Sequence, residues 1–260
     1  MSSNITNEPF SCSRDGLTIR GHIYRAERTA FSHCKTPVII LCHGFLGDET
    51  QLSTYAESLA GIGYTAVTFD FNGGGPRSSS SGKSVDMTVL TEKADLLSVI
   101  KYVETLEYAD KDNISLMGCS QGGFVSALTA AELKDRIKQL VLFFPAFCIP
   151  DDARKGEMLV MSFDPDDIPP VICHEPMTIG RDYALTAQKI DIYKEISAFT
   201  GRTLIIHGTE DKVVNIEYSR KAKNIYKNVV YKEIEGADHG FAGKYDQEAI
   251  RVLLDFCKIA

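Results

Sequence analysis

Continuous apolar, β-branched runs recur along the chain and alternate with segments whose apolar residues lie three and four positions apart. Runs of the first kind are typical of strands buried in a parallel sheet, and segments of the second kind are typical of amphipathic helices. The predicted strands are Thr36–Cys42, Tyr64–Phe71, Asn113–Met117, Ile137–Phe144, Arg202–Ile206 and Asn228–Ile234. The predicted helices are Leu52–Gly61, Asp86–Leu106, Gln121–Lys134, Ile216–Lys227 and Tyr245–Ala260.

The order of these segments predicts the fold class. Weak alternation within Phe10–Arg25 indicates two antiparallel strands around the turn at Arg14–Gly16. After them strand and helix alternate, which favours an α/β fold with a mostly parallel, doubly wound sheet of about eight strands. The 260 residues fit one α/β domain, residues 1–260.

One long segment, residues 146–200, interrupts this alternation. It is rich in Pro and Asp and separates the predicted strand that ends at Phe144 from the one that begins at Arg202. Insertions of this length in a compact domain are usually functional, and lids are the common case. We therefore expect a cap, or lid, over the C-terminal edge of the sheet, with a helix near Asp182–Glu195.

Composition and charge exclude several classes of protein. The net charge is −7, from 28 basic and 35 acidic residues, and no basic run exceeds two residues. A nucleic-acid surface needs clustered Lys and Arg, so no nucleic-acid partner is expected. Neither a signal peptide nor an apolar run long enough to cross a membrane is visible, which predicts a cytoplasmic protein without a membrane partner. A homodimer is kept as a hypothesis for the oligomeric state.

The cysteine pattern favours a structural role. The seven cysteines are scattered, without a CxxC pair, and several lie in strand-like runs where a thiol behaves as a small apolar group. Cys42-His43 and Cys173-His174 have no second ligand pair at zinc spacing. We expect no metal and no cofactor.

Gly118–Gly122 (GCSQG) is a G-x-S-x-G pentapeptide. It follows the predicted strand Asn113–Met117 and opens the predicted helix at Gln121, the strand–turn–helix setting in which this motif presents a nucleophilic serine. The alternative is a glycine-rich loop in which Ser120 only caps the helix. We interpret Ser120 as the nucleophile.

A serine hydroxyl requires a base, and two later strand ends supply the partners. His239 lies in a glycine-flanked loop after the last predicted strand and is the predicted base. Asp211, Glu210 and Asp238 are the candidate acids. Asp238 adjoins His239, and neighbouring side chains on an extended segment point apart, so it is disfavoured. Asp211 is preferred, and on physical grounds Glu210 stays a rival.

A tetrahedral intermediate needs two preorganised N–H donors at its oxyanion. The backbone N–H of Gln121, directly after the nucleophile, is the first predicted donor. The second is the N–H of Phe45, in the loop that follows the strand Thr36–Cys42. His43 in that loop is interpreted as a brace that bonds to backbone.

These segments together resemble the ordered motifs of the α/β-hydrolase superfamily. The resemblance rests on His43–Phe45, Gly118–Gly122, the HGTED segment His207–Asp211 and Gly236–His239, with Phe69–Gly75 in support. It implies the catalytic order Ser120, Asp211, His239. In that superfamily the Asp of H-G-x-x-D is the acid, which favours Asp211 over Glu210.

Within the superfamily the chain resembles bacterial cinnamoyl and feruloyl esterases. The segments that carry this resemblance are Thr88–Leu90, the length of the cap, Thr178–Tyr183 and Ile192–Ser197. In those enzymes an acidic residue and a tyrosine of the cap hold the phenolic hydroxyls of the acyl group. The resemblance assigns these substrate-binding positions to Asp152 and Tyr183.

The predicted function is hydrolysis of a small-molecule carboxylic ester through an acyl-enzyme, with a hydroxycinnamate or similar aryl ester as substrate. The alternatives are a lipase, a thioesterase or an acyl-peptidase of the same fold. A different class also stays open, a non-catalytic receptor that uses a hydrolase fold to bind a ligand.

Overall fold

The centre of the molecule is an eight-stranded sheet, and the computed structural model describes residues 4–27, 34–159 and 161–258. The strands are β1 (Ile5–Arg14), β2 (Leu17–Ala26), β3 (Thr36–Cys42), β4 (Thr65–Phe69), β5 (Ala109–Cys119), β6 (Ile137–Phe143), β7 (Glu157–Met158), β8 (Met161–Ser162), β9 (Val171–Cys173), β10 (Ile179–Gly180), β11 (Arg202–Gly208) and β12 (Val229–Ile234). The helices are α1 (Ser53–Gly61), α2 (Val89–Val103), α3 (Gln121–Leu133), α4 (Ile149–Lys155), α5 (Arg181–Gln188), α6 (Ile192–Ile196), α7 (Glu217–Lys223) and α8 (Lys244–Cys257).

The order of the central sheet is β1-β2-β4-β3-β5-β6-β11-β12. The β1–β2 and β2–β4 pairs are antiparallel, and every later pair is parallel. The predicted fold class, a mostly parallel and doubly wound sheet with an antiparallel start, is confirmed. Strands β3 and β4 are apolar on both sides because helices cover both faces of the sheet.

Two apolar clusters stabilise the sheet, one on each face. Helices α2 and α3 supply part of the larger cluster, which also takes in buried side chains of residues 146–200. Helices α1 and α8 supply the smaller one through residues such as Leu59 and Leu253. The parallel register brings Cys42 of β3 opposite Gly118 of β5, so the loops that follow these two strands begin side by side.

Residues 146–200, here called the insertion, leave the sheet after β6 and return to it at β11. They contain α4, two small antiparallel pairs (β7–β8 and β9–β10), α5 and α6. The single helix predicted near Asp182–Glu195 is wrong. The Asp191 side chain accepts a hydrogen bond from the Lys194 N–H and caps a new helix, so the segment divides into α5 and α6.

The remaining differences concern the ends of elements. Strand β5 extends beyond the predicted Asn113–Met117 on both sides. The predicted helix Asp86–Leu106 begins later, at Val89, because the Thr88 side chain caps it there in a reciprocal bond with Thr91. The predicted helix Tyr245–Ala260 corresponds to α8, and its last two residues lie outside the described residues.

Candidate active site

Ser120 occupies a tight turn between β5 and α3. Its backbone adopts φ 53° and ψ −119°, a conformation that L-residues other than glycine rarely adopt. A Cβ on Gly118 would lie 2.2 Å from the Gly122 carbonyl oxygen, and a Cβ on Gly122 would lie 2.3 Å from that of Cys42. Only glycine fits at these two places. The Ser120 side chain makes no capping bond to α3, which speaks against the helix-cap alternative.

His239 joins Ser120 to Asp211. Its Nε2 lies 3.1 Å from the Ser120 Oγ, and its Nδ1 lies 2.7 Å from the Asp211 Oδ2. An ionised carboxylate only accepts hydrogen bonds, so Nδ1 carries the proton and Nε2 is left to accept from the serine hydroxyl. The structure therefore brings together the three side chains predicted as the triad.

Asp211 is held in its ionised form. Its side chain is fully buried, and the Val213 and Val214 N–H groups each donate to Oδ1 at 2.9 Å. Burial alone would raise the pKa of Asp211, but hydrogen bonds from His207, His239 and the Val214 N–H outweigh it and lower the pKa below its usual value.

The two rival acids lie elsewhere. Glu210 and Asp238 are both exposed, and Asp211 is the carboxylate that bonds the His239 ring. The Glu210 N–H donates to the Ala237 carbonyl at 2.9 Å, which ties the loop after β11 to the loop that carries His239. His239 is thus bonded to Asp211, the acid that the H-G-x-x-D resemblance favours.

His207, the first residue of the HGTED segment, has a role that was not predicted from the sequence. Its ring is fully buried, and Nε2 lies 3.0 Å from the Val214 carbonyl oxygen and 3.1 Å from the Asp211 Oδ2. Both neighbours are acceptors, so Nε2 carries the proton, and Nδ1 accepts from the Ser219 hydroxyl at 2.7 Å. His207 therefore holds Asp211 through Oδ2, the same carboxylate oxygen that bonds the His239 ring.

The residues that carry the predicted oxyanion donors lie beside Ser120. Gln121 is the first residue of α3, where a helix leaves its N–H groups without an intrahelical acceptor. A Cβ on Gly44 would lie 3.2 Å from the Ser120 Cβ, so the loop that carries Phe45 passes directly against the turn.

His43 braces that loop, as expected. Its Nε2 accepts the Phe71 N–H at 3.2 Å, and its Nδ1 donates to the Gly44 carbonyl at 2.8 Å. Burial lowers the pKa of His43, which keeps the ring neutral and both bonds intact.

The Gln121 side chain links the turn that carries Ser120 to the insertion, a contact that was not predicted from the sequence. Its Oε1 accepts from the Tyr183 hydroxyl of α5 at 2.5 Å, and its Nε2 donates to the Glu92 Oε2 of α2 at 2.8 Å. Burial raises the pKa of Tyr183 well above its usual value, so the hydroxyl keeps its proton. One residue thus carries a candidate oxyanion N–H and connects α2 to α5.

Glu92 gives a test of this buried link. Burial raises its pKa from 4.5 to about 8; the Gln121 bond opposes the rise and the nearby Asp95 adds to it. The folded chain therefore binds an extra proton between these values, and its free energy of unfolding falls as the pH rises through that window. Glu92→Gln should remove this slope, of up to about 1.4 kcal/mol per pH unit. Urea denaturation between pH 5 and pH 8 measures it.

Glu107→Gln, at an exposed position after α2, is the matched control and should keep the wild-type slope. Equal pH dependence in wild type and Glu92→Gln would contradict the buried, proton-binding state of Glu92.

Two cavities meet at Ser120 and Phe45. The insertion-side cavity has a volume of about 50 Å³ and includes Gln121, Asp152 and Tyr183 in its lining. The His239-side cavity is larger, about 360 Å³, and extends over α1 and the start of α8. Both predicted substrate-binding residues thus line one cavity together with Ser120.

Among residues 4–27, 34–159 and 161–258, no group of three or more His, Cys, Asp or Glu side chains is arranged to hold a metal ion. Within the same described ranges, every helix is too short or too polar to pass through a bilayer.

A family model described as "Serine aminopeptidase, S33" matches residues 34–166, a range that contains β3, the Phe45 loop and Ser120. The chain belongs to this S33 family. The S33 chain is 36% identical over 132 residues to an uncharacterized 31.7 kDa protein of the Escherichia coli traX-finO intergenic region, across 50% of this chain and 44% of that protein. It is 30% identical over 132 residues to a thiohydrolase of Eupenicillium brefeldianum, across 50% and 40% respectively.

This chain spans about half the length of these two curated relatives. Among solved structures it is similar to Est1E from Butyrivibrio proteoclasticus with ferulic acid bound, with a TM-score of 0.85 and 30% identity. That match covers 94% of this chain and 97% of Est1E. The resemblance to the α/β-hydrolase superfamily and to feruloyl esterases is therefore confirmed.

Proposed function

We propose that this chain is a serine carboxylic-ester hydrolase that forms an acyl-enzyme and acts on small aryl esters such as hydroxycinnamates. The observation that carries the proposal is the unbroken hydrogen-bond chain from Ser120 through His239 to Asp211. The similarity to Est1E with ferulic acid bound supports the choice of acyl group.

In the proposed mechanism the Ser120 Oγ attacks the ester carbonyl while the His239 Nε2 takes its proton. The buried Asp211 carboxylate stabilises the imidazolium that results, and the N–H groups of Phe45 and Gln121 stabilise the oxyanion. His239 then returns the proton to the leaving alkoxide. Water repeats the sequence on the acyl-enzyme, releases the acid and restores Ser120.

We place the acyl group in the insertion-side cavity, so residues 146–200 act as a cap. The Tyr183 hydroxyl already donates its proton to Gln121, so its oxygen is left to accept, and the Asp152 carboxylate also accepts. Both groups therefore suit an acyl group whose far end carries a hydrogen-bond donor, such as a phenol. Sites for ligands of this size usually exceed ~300 Å³, whereas this cavity has a volume of about 50 Å³. Binding therefore requires the insertion to move outward and enlarge the cavity.

A panel of nitrophenyl esters with hydroxycinnamoyl, acetyl, butyryl and long-chain acyl groups tests this assignment. We expect kcat/KM to be highest for the hydroxycinnamoyl ester, and Asp152→Asn to lower it by about 10-fold or more, because a charged acceptor is lost. The acetyl ester does not reach Asp152, so its kcat/KM should change little in the same variant.

Asp151→Asn is the matched control, since Asp151 bonds the Tyr218 hydroxyl and Arg154 outside the cavity lining. A preference for long-chain esters would favour a lipase instead. Matched thioesters and arylamides of the best acyl group separate ester hydrolysis from thioesterase and acyl-peptidase activity, and the thiohydrolase relative makes the thioester comparison pertinent.

A further inference from the structure

The His239-side cavity is distinct from the one that the insertion covers. It is lined by Ser120 and His239 at one end, and by Gln51, Thr54, Tyr55 and Asp246 beyond them. Phe144 and Phe241 supply an apolar part of its wall, with ring centroids 4.9 Å apart. No residue of α1 or α8 was predicted from the sequence to have a function.

The position of His239 decides which half of an ester this cavity receives. In the proposed reaction the bond between the carbonyl carbon and the alkoxy oxygen breaks, and the His239 Nε2 gives its proton to that oxygen. The leaving alcohol must therefore lie on the side of the serine where His239 lies. His239 lines this cavity and is absent from the lining described for the insertion-side cavity.

A buried hydroxyl and a carboxylate form the polar part of the cavity. The Tyr55 hydroxyl donates to the Asp246 Oδ1, and Tyr55 itself is 7% exposed. Asp246 lies in the first turn of α8, where the helix dipole favours a negative charge. A carboxylate has about four acceptor positions, and Tyr55 is the one side chain among the described residues that donates to Asp246, so this carboxylate is able to accept from a ligand.

The charge of the cavity is one-sided. Among the described residues that line it, Asp246 is the only Asp or Glu, and Lys and Arg are absent. Thr54 and Gln51 add uncharged hydrogen-bonding groups next to it. An alcohol that carries a further donor gains a bond to Asp246, whereas an anionic alcohol is repelled.

We infer that the His239-side cavity binds the alcohol half of the ester, and that the Tyr55–Asp246 pair selects leaving alcohols with an additional hydrogen-bond donor. This inference rests on the proposed ester hydrolysis. The donor can be a neutral hydroxyl or a protonated amine, and both chemistries satisfy the same acceptor.

Four esters of one acyl group test the inference, with 2-hydroxyethyl, 2-methoxyethyl, 2-(dimethylammonio)ethyl and carboxymethyl alcohol parts. The first two are similar in size and differ in the donor, and the third and fourth carry a positive and a negative charge. We expect kcat/KM for the 2-hydroxyethyl ester to exceed that for the 2-methoxyethyl ester by about 5-fold or more, and the carboxymethyl ester to be slowest. Acid release in a pH-stat at pH 7 measures all four.

Asp246→Asn should reduce the hydroxyethyl-to-methoxyethyl ratio to below about 2 and should relieve the penalty on the carboxymethyl ester. Tyr55→Phe is the second variant, and it should lower the same ratio because Asp246 loses its orienting bond. Asp255→Asn, on the exposed side of α8, is the control and should keep the wild-type ratio. Comparison of the two donor esters tells whether the hydroxyl or the ammonium group is preferred.

A wild-type enzyme that hydrolyses all four esters at similar rates would overturn the inference and leave the proposed ester hydrolysis standing. The same holds if Asp246→Asn folds normally and keeps the wild-type ranking. Failure of the wild type to hydrolyse any of the esters would overturn both.

Discussion

Ser120→Ala is expected to lower kcat for nitrophenyl ester hydrolysis by about 10⁵-fold or more, because no other group can form the acyl-enzyme. The wild type should release nitrophenol in a burst equal to the enzyme concentration if deacylation is slower than acylation, and the variant should show no burst. A fluorophosphonate probe should add to the wild-type chain at Ser120, which mass spectrometry of peptides would locate.

The matched control for this variant is Ser126→Ala. Ser126 lies on α3, the helix that follows Ser120, and is fully buried. Its hydroxyl contacts the Met117 carbonyl oxygen at 3.5 Å and bonds the Cys42 thiol, so the variant should lose some stability. Because neither contact involves His239 or Asp211, its activity should stay within about twofold of wild type. Equal activity in wild type and Ser120→Ala would contradict the proposed role of Ser120 and would favour the hypothesis of a non-catalytic receptor.

Asp211→Asn is expected to lower kcat by about 10³–10⁴-fold with little change in KM. The amide cannot both accept from the His239 Nδ1–H and supply a negative charge to the imidazolium, so the ring loses its tautomer and its stabilisation. Its bonds to the Val213 and Val214 N–H groups can persist through the amide oxygen, which keeps the loop in place. Steady-state kinetics at pH 7, with thermal unfolding as a check on folding, measures the effect.

Glu210→Gln and Asp238→Asn are the controls, since both carboxylates are exposed and neither is the partner of the His239 ring. Each should keep activity within about threefold of wild type. A large loss of activity in Glu210→Gln together with a small loss in Asp211→Asn would show that Asp211 is not the catalytic acid.

The sequence predicted those parts of the site that depend on local backbone. Gly118 and Gly122 can be recognised because only glycine allows the close backbone approaches at this turn. The position of the turn between a buried strand and a helix can be predicted from the pattern of apolar residues. The same is true of His239 and Asp211, which follow parallel strands, because such strands all end at one edge of a sheet.

The parts that the sequence did not predict depend on contacts between distant side chains. Nothing local marks the bond between Gln121 and Tyr183, which lie 62 positions apart, or the burial of Glu92 beside them. His207 was visible as a motif residue, but its role requires knowing that the loop after β11 places Val214, and helix α7 places Ser219, next to the ring.

The insertion shows a different limit of pattern reading. Apolar residues at helical spacing continue through Asp182–Glu195, and the pattern by itself predicts one helix. The break at Asp191 comes from a side chain that competes for a backbone N–H, which periodicity of apolar positions does not register.

The double attachment of Gln121 has a consequence for how such an enzyme can change. Its amide group ties α5 to α2, while its main-chain N–H is the donor that we propose for the oxyanion. If the proposed mechanism holds, mutations that remodel the insertion to accept new acids will also displace Gln121, a proposed oxyanion donor. On that proposal we expect selectivity and turnover to be coupled, and laboratory evolution toward a new acid should recover turnover through second changes near Glu92.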